Sequence, residues 1–197
     1  MHKNKKEHMA FYDVLIMENF VEPFTPFFRE SLGLTPNMVT WLSNITSWIA
    51  LYFLWNKQIV LFFIFWQINY WWDCMDGYMA RKYDMVTDFG DMLDHVGDWT
   101  SLAGIGIIMV YKYKLFKNWK KNIGYIIFAC ISLIMTYIHV GCTERMAEKN
   151  KFKKSKTLES TKGACLDTKW LNFTKFWGIG NSNLFQSIMV LIIVGNA

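Results

Sequence analysis

The chain has 197 residues, 53% of them hydrophobic and 18% aromatic, and a formal net charge of +5 at pH 7. The length suits one domain, but the apolar residues come in uncharged blocks rather than at a helix or strand period, which excludes an ordinary soluble core. Four cysteines without paired spacing argue against a zinc site or a disulfide framework and read as reduced, small apolar residues.

The opening MHKNKKEHMAFYDVLIMENF lacks the order of a cleavable signal. Residues 1–33 read instead as a basic tail leading into an amphipathic membrane-surface helix, with Phe24, Phe27 and Phe28 on one face. Residues 34–197 read as a polytopic membrane unit. Its uncharged blocks are 38–55, 59–72, 99–111, 122–143 and 176–197, with Trp and Tyr near their ends, as at membrane interfaces. A span needs about 20 mainly apolar residues, so the second and third blocks must extend into the acidic text between them. The predicted spans are 38–56, 58–81, 90–111, 122–143 and one beginning near 182. No proline follows Pro36, which suits uninterrupted helices. The expected fold class is therefore all-α: a polytopic bundle of five to six transmembrane helices with an N-terminal surface helix.

With the N-terminus in the cytosol, fifteen of the 21 Lys and Arg residues fall on the cytosolic side, the distribution the positive-inside rule favours. The connector KYKLFKNWKK runs against it, with five lysines outside.

Residues 71–99, WWDCMDGYMARKYDMVTDFGDMLDHVGDW, hold seven of the sixteen acidic side chains, beside some of the most apolar text in the chain. On a helix Asp73 and Asp76 share a face, as do Asp94 and Asp98, with Cβ atoms roughly 5–6 Å apart within each pair. The uncharged runs put one pair at the end of the second span and the other at the start of the third. The short turn RKYDMVTDFG joins them, so both pairs meet at one membrane face. Four clustered carboxylates repel one another. Divalent cations remove that repulsion, and oxygen-only ligands suit Mg²⁺ or Mn²⁺. Two such ions about 3.5–4 Å apart would clamp a diphosphate. Gly77 and Gly90 fit as positions where a side chain would block a ligand or a neighbouring helix, and Arg81 is placed to neutralise a phosphate. Asp84, Asp88 and Asp91, in or beside the turn, read as solvated charges. An intramembrane cation transporter would also use acids in spans, but it predicts acids at mid-span depth and repeated helices. An intramembrane prenyltransferase predicts two separate Asp-rich motifs, and this chain has one acidic cluster.

The series Asp73-x2-Asp76-Gly77-x2-Ala80-Arg81-x8-Gly90-x3-Asp94-x3-Asp98 resembles, without gap or substitution, the signature of the CDP-alcohol phosphatidyltransferase family. Upstream, Leu34-Thr35-Pro36-Asn37-Met38-Val39-Thr40 is similar to the stretch that opens the family's first span. The resemblance implies a six-helix membrane enzyme, usually a homodimer, that moves a phosphoalcohol from a CDP-linked donor to an alcohol acceptor and releases CMP. By position it implies that Asp73, Asp76, Asp94 and Asp98 hold two Mg²⁺ or Mn²⁺ ions, with Asp98 also the base. Gly77, Ala80 and Arg81 would face the CDP moiety, with Pro36, Asn37, Met38, Val39 and Thr87 completing its pocket. The partners implied are the donor, the acceptor and membrane lipids, with no nucleic acid, and the active site would face the cytosol.

The family normally has six spans where five are predicted here, so the chain is expected to be a minimal or an incomplete member. Its length resembles phosphatidylinositol and phosphatidylglycerophosphate synthases. Asp94-His95-x2-Asp98 resembles instead the choline/ethanolamine phosphotransferases, which act on diacylglycerol. His95 beside Asp94 reads more readily as a local hydrogen-bond partner than as an aid to the base, and His139 as structural. Residues 144–175 carry nine Lys and Arg against four acids. Such a surface would concentrate anionic lipid, each nearby cation being worth about 1 kcal/mol, and so inclines the donor toward CDP-diacylglycerol. Arg145 and the lysines of AEKNKFKKSK would attract phosphorylated acceptors or anionic lipid.

Overall fold

The computed structural model describes residues 9–117, 119–149 and 157–196. All regular structure among them is helical. The basic N-terminal residues and Lys151, Lys153, Lys154 and Lys156 lie outside the described residues.

The first helical stretch, α1, begins at Phe11–Ile16 and continues without a break through Met17–Val21, Glu22–Pro26 and Phe27–Ser31, the second and fourth of these being π-helical. Ile16, Met17, Val21 and Thr25 turn into the molecule, while Phe20, Phe24 and Phe27 are exposed. Phe28 leaves that outer face and packs edge-on against Trp71 and Trp72. Then come α2 (Pro36–Trp55), α3 (Ile59–Lys82), α4 (Asp88–Tyr111), α5 (Trp119–Lys149) and α6 (Ile179–Gly195). Short 3-10 and α-helical turns between Thr157 and Trp177 connect the last two.

Local chemistry sets the boundaries. The Thr35 hydroxyl accepts from the Met38 amide and Pro36 opens α2, the preferred place for a residue without an amide hydrogen. Lys57 takes a left-handed backbone (φ 59°) in the α2–α3 corner. The Thr87 hydroxyl caps α4 by accepting from the Gly90 amide at 3.0 Å. Asp88 and Asp91 in that first turn favour the positive end of the helix dipole.

The α2 face built from Thr40, Ser43, Asn44 and Ser47 is buried, so the sequence period of three and four runs in small polar residues rather than large apolar ones. These residues bring helices close and bond them. Ser101 of α4 donates to the Ser47 hydroxyl at 2.8 Å, and Asn69 of α3 donates to the Ser43 carbonyl at 3.0 Å. A Cβ on Gly104 would lie 2.5 Å from the Leu51 side chain, and one on Gly97 would overlap the Asn44 amide. Such small-residue contacts are how helices approach closely where burial in lipid adds no hydrophobic drive.

Apart from a small group of Cys142, Cys165 and Leu171, the apolar packing among the described residues falls into two clusters at opposite ends. One joins Leu54, Phe62, Trp66, Met109 and Val190 across α2, α3, α4 and α6. The other places Met17 and Val21 of α1 against Val39, Tyr70, Met75 and Met79. Polar ties also fix α1: the Tyr70 hydroxyl donates to Asp13, and the Tyr12 amide donates to Asn181 Oδ1 of α6 at 3.0 Å. Burial pushes the Asp13 carboxyl above its usual range, against the opposing pull of that hydroxyl.

Among the described residues two segments are long and apolar enough to cross a membrane, Trp119–Glu148 and Thr168–Gly195. Among the other predicted spans, α2 is lined by Ser, Thr and Asn, and α3 and α4 carry the aspartates. The reading of all four cysteines as reduced needs correcting. Cys142 near the end of α5 is bonded to Cys165, 23 residues on, while Cys74 and Cys130 are free. The partners meet because the 157–164 turns fold back along α5, a long-range pairing that no local spacing announces.

Candidate active site

Helix geometry carries α3 and α4 to the same end of the molecule, and the five residues between them make a tight return in which Asp84 is left-handed (φ 52°). That return brings the aspartates together. Carboxylate oxygens of Asp73, Asp76 and Asp94 all lie within 4.8 Å of one another. Asp76 is buried, and its Oδ2 has no hydrogen-bond partner. An oxygen-only donor set this close, with one buried lone acceptor, fits a hard divalent cation, which would satisfy the orphan oxygen and remove the repulsion. Asp98, one turn further along α4 than Asp94, is more exposed and opens with Asp73 into a second cavity.

The first cavity, about 110 Å³, has Asp76 and Asp94 at its floor and Gly77, Ala80 and Arg81 along the α3 wall. Pro36 and Asn37 close it from α2, and Thr87 and Gly90 from the head of α4. The glycines have visible reasons. A Cβ on Gly77 would sit 3.1 Å from the Arg81 guanidinium, which lies across it, and one on Gly90 would come within 2.7 Å of Asn37 Oδ1. Two residues of the opening motif sit elsewhere: Met38 faces outward, and Val39 is fully buried in the α1-side cluster. Thr40, Met85, Val86 and Asp91 also line the cavity and were not foreseen. Thr40 sits one turn from Pro36, to whose carbonyl it donates at 3.1 Å, so the α2 period could have found it.

Asp91 thus borders the site, whereas Asp84 and Asp88 are exposed. His95 sits beside the cluster, its Nδ1 3.9 Å from Asp94 Oδ2. Its Nδ1 lies 2.6 Å from the Asp91 carbonyl, which can only accept, so that nitrogen carries the proton. His139 is buried with its Nδ1 3.1 Å from the Thr174 hydroxyl. Arg145 donates to the Cys165 and Leu166 carbonyls, the latter at 3.0 Å, and so braces the connector.

The second cavity, about 180 Å³, lies among α3, α4, α5 and α6 and was not legible in the motif. Asp73 and Asp98 form one wall, and Ser182, Asn183 and Gln186 of α6 face them.

An all-helical bundle with a carboxylate cluster between two cavities is the architecture of a helical protein able to hold a hard divalent cation. The family model for CDP-alcohol phosphatidyltransferase matches residues 33–193, and the chain belongs to that family. It is 55% identical over 40 residues to a CDP-diacylglycerol–glycerol-3-phosphate 3-phosphatidyltransferase of Rickettsia bellii, and 52% identical over 40 residues to the Rickettsia felis protein of the same name. Each match covers 20% of this chain and 22% of the relative, so the chain aligns with about a fifth of the length of these two relatives. An uncharacterised protein of Aquifex aeolicus is 28% identical over 81 residues, 41% of each chain. No solved structure matches the chain.

Proposed function

We propose that the chain is an integral-membrane phosphatidyltransferase, which moves the phosphatidyl group of CDP-diacylglycerol to an alcohol and releases CMP. The observation that carries this reading is the meeting of Asp73, Asp76 and Asp94, the last two at the floor of a cavity walled by Gly77 and Arg81. Family membership and the printed names of the Rickettsia proteins support the donor.

In this reading the CDP moiety occupies the first cavity, with Arg81 against a phosphate and the bare Gly77 and Gly90 leaving it room. Asp73, Asp76, Asp94 and Asp98 would hold Mg²⁺ or Mn²⁺, two ions in the full site, which would supply charge neutralisation for the departing nucleotide. The acceptor reaches Asp98 from the second cavity. Its O–H proton passes to the Asp98 carboxylate, and its oxygen forms a bond to the phosphorus that bears diacylglycerol. The bond from that phosphorus to the CMP phosphate oxygen breaks, and CMP leaves with the electron pair. The aspartate end faces the cytosol, α1 lies at the membrane surface, and the enzyme works as a homodimer.

The test is CMP release by the full chain in detergent with CDP-diacylglycerol and a panel of alcohols. Activity is expected with Mg²⁺ or Mn²⁺ and should vanish with a chelator; full turnover in metal-free buffer would end the metal account. CDP-choline with diacylglycerol forms the comparison arm, because Asp94-His95-x2-Asp98 resembles enzymes of that kind. CMP from that arm alone would overturn the donor.

A further inference from the structure

The second cavity gives the chemical class of the acceptor, on the reading above that Asp98 is the base. A group entering it meets Asp73 and Asp98, which as carboxylates can only accept hydrogen bonds. The opposite wall is neutral. Thr136 of α5 and Ser182 of α6 lie 2.7 Å apart with the Trp177 carbonyl 3.0 and 3.1 Å from their hydroxyls, so both are held in place. Next to them Asn183 presents an amide oxygen that is buried and has no partner. Gln67, behind the wall, donates to Ser187 at 3.1 Å and fixes it. Among the described residues no Lys, Arg or His lines the cavity. The cation nearest in sequence on α5, Arg145, is committed to the Cys165 and Leu166 carbonyls.

This wall has lone pairs and amide hydrogens to offer, and no charge. A phosphorylated alcohol would set a dianion against this neutral far wall, where no Lys, Arg or His among the described residues meets it. Burying an unpaired charge is far costlier than burying a hydrogen-bonded hydroxyl. Hydroxyl groups, by contrast, donate to the carboxylates and to the orphan Asn183 oxygen. We infer that this cavity is the acceptor site and that it selects an uncharged alcohol, Asn183 and Gln186 reading its hydroxyls, rather than the phosphorylated one in the printed names of the Rickettsia proteins.

The experiment holds CDP-diacylglycerol and Mg²⁺ saturating and compares glycerol and myo-inositol with glycerol 3-phosphate, reading CMP. An uncharged acceptor should exceed glycerol 3-phosphate in kcat/KM by about tenfold or more. Asn183→Ala and Gln186→Ala should each raise the KM of that acceptor by roughly tenfold while leaving the KM for CDP-diacylglycerol unchanged. A merely structural role would move both constants or neither. Preference for glycerol 3-phosphate, or unchanged acceptor KM in both variants, would overturn the inference while leaving phosphatidyl transfer intact. CMP only from CDP-choline with diacylglycerol would keep an uncharged acceptor and move the donor. Silence in every arm would remove the transfer reading and this inference with it.

Discussion

Asp76 and Asp98 are separated by their surroundings more than by their chemistry. Asp76 is buried at the floor of the first cavity with an oxygen that nothing satisfies, whereas Asp98 opens into the second cavity. On the proposed reading one would hold a cation and the other would meet an incoming hydroxyl. Asp98→Asn keeps a neutral oxygen near the site but can take no proton. It is therefore expected to lower kcat by about 10²–10⁴, with binding of CDP-diacylglycerol largely spared. Asp76→Asn should weaken donor binding and turnover together. Equilibrium binding of the donor and CMP release, measured on both variants, check this division; near-normal turnover in Asp98→Asn would refute the base.

At the scale of the helices, the contact of α4 with α2 decides where the second pair of aspartates stands. Gly97 and Gly104 let α4 approach Asn44 and Leu51, whereas Gly106 on the same helix has open space around its Cβ position. Gly97→Ala must push the two helices apart and should cost about 1–3 kcal/mol. Gly106→Ala meets nothing and should be neutral or stabilising by roughly 0.5–1 kcal/mol through helix preference. Thermal unfolding in detergent, followed by circular dichroism, compares the two; equal shifts would deny that α2 and α4 pack this way. The aspartate cluster was readable from sequence because residues three or four apart on a helix must share a face, and the short turn could only fold α3 against α4. The disulfide, the Asp13–Tyr70 tie and the α6 wall of the second cavity were not. Each joins residues far apart in the chain, from Asp13 and Tyr70 to Asp98 and Asn183, and no local period encodes such meetings. Asn44 was hidden differently: a polar residue in an apolar block looks like a defect until Gly97 is seen beside it.

Across the whole molecule the two ends differ in charge. The aspartate end gathers the α3–α4 return, and the opposite end carries Lys57, Lys112, Lys114 and Lys121 around another cavity. Lys112 donates to the Trp55 carbonyl there, and Lys121 to that of Asn196 at 3.0 Å. Taken alone, that lysine group would draw its own end to the cytosol, but the full count favours the aspartate end, with fifteen of 21 Lys and Arg. Orientation follows the total near the membrane rather than one connector, so the aspartate end should be cytosolic. Single cysteines at Asp84 and Lys117, in a background with the native thiols replaced, report this with a membrane-impermeant maleimide on intact cells. Asp84→Cys should label only after permeabilisation, and Lys117→Cys without it. The Cys142–Cys165 bond gives an independent reading, since α5 ends and α6 begins at the aspartate end, and a cytosolic dithiol is kept reduced. Thiols trapped before lysis should therefore be found free, the bond seen in the structure being the oxidised state of a pair that the cytosol would hold reduced. Labelling of Asp84→Cys from outside, together with an intact bond in cells, would reverse the orientation and move the active site to the other side of the membrane.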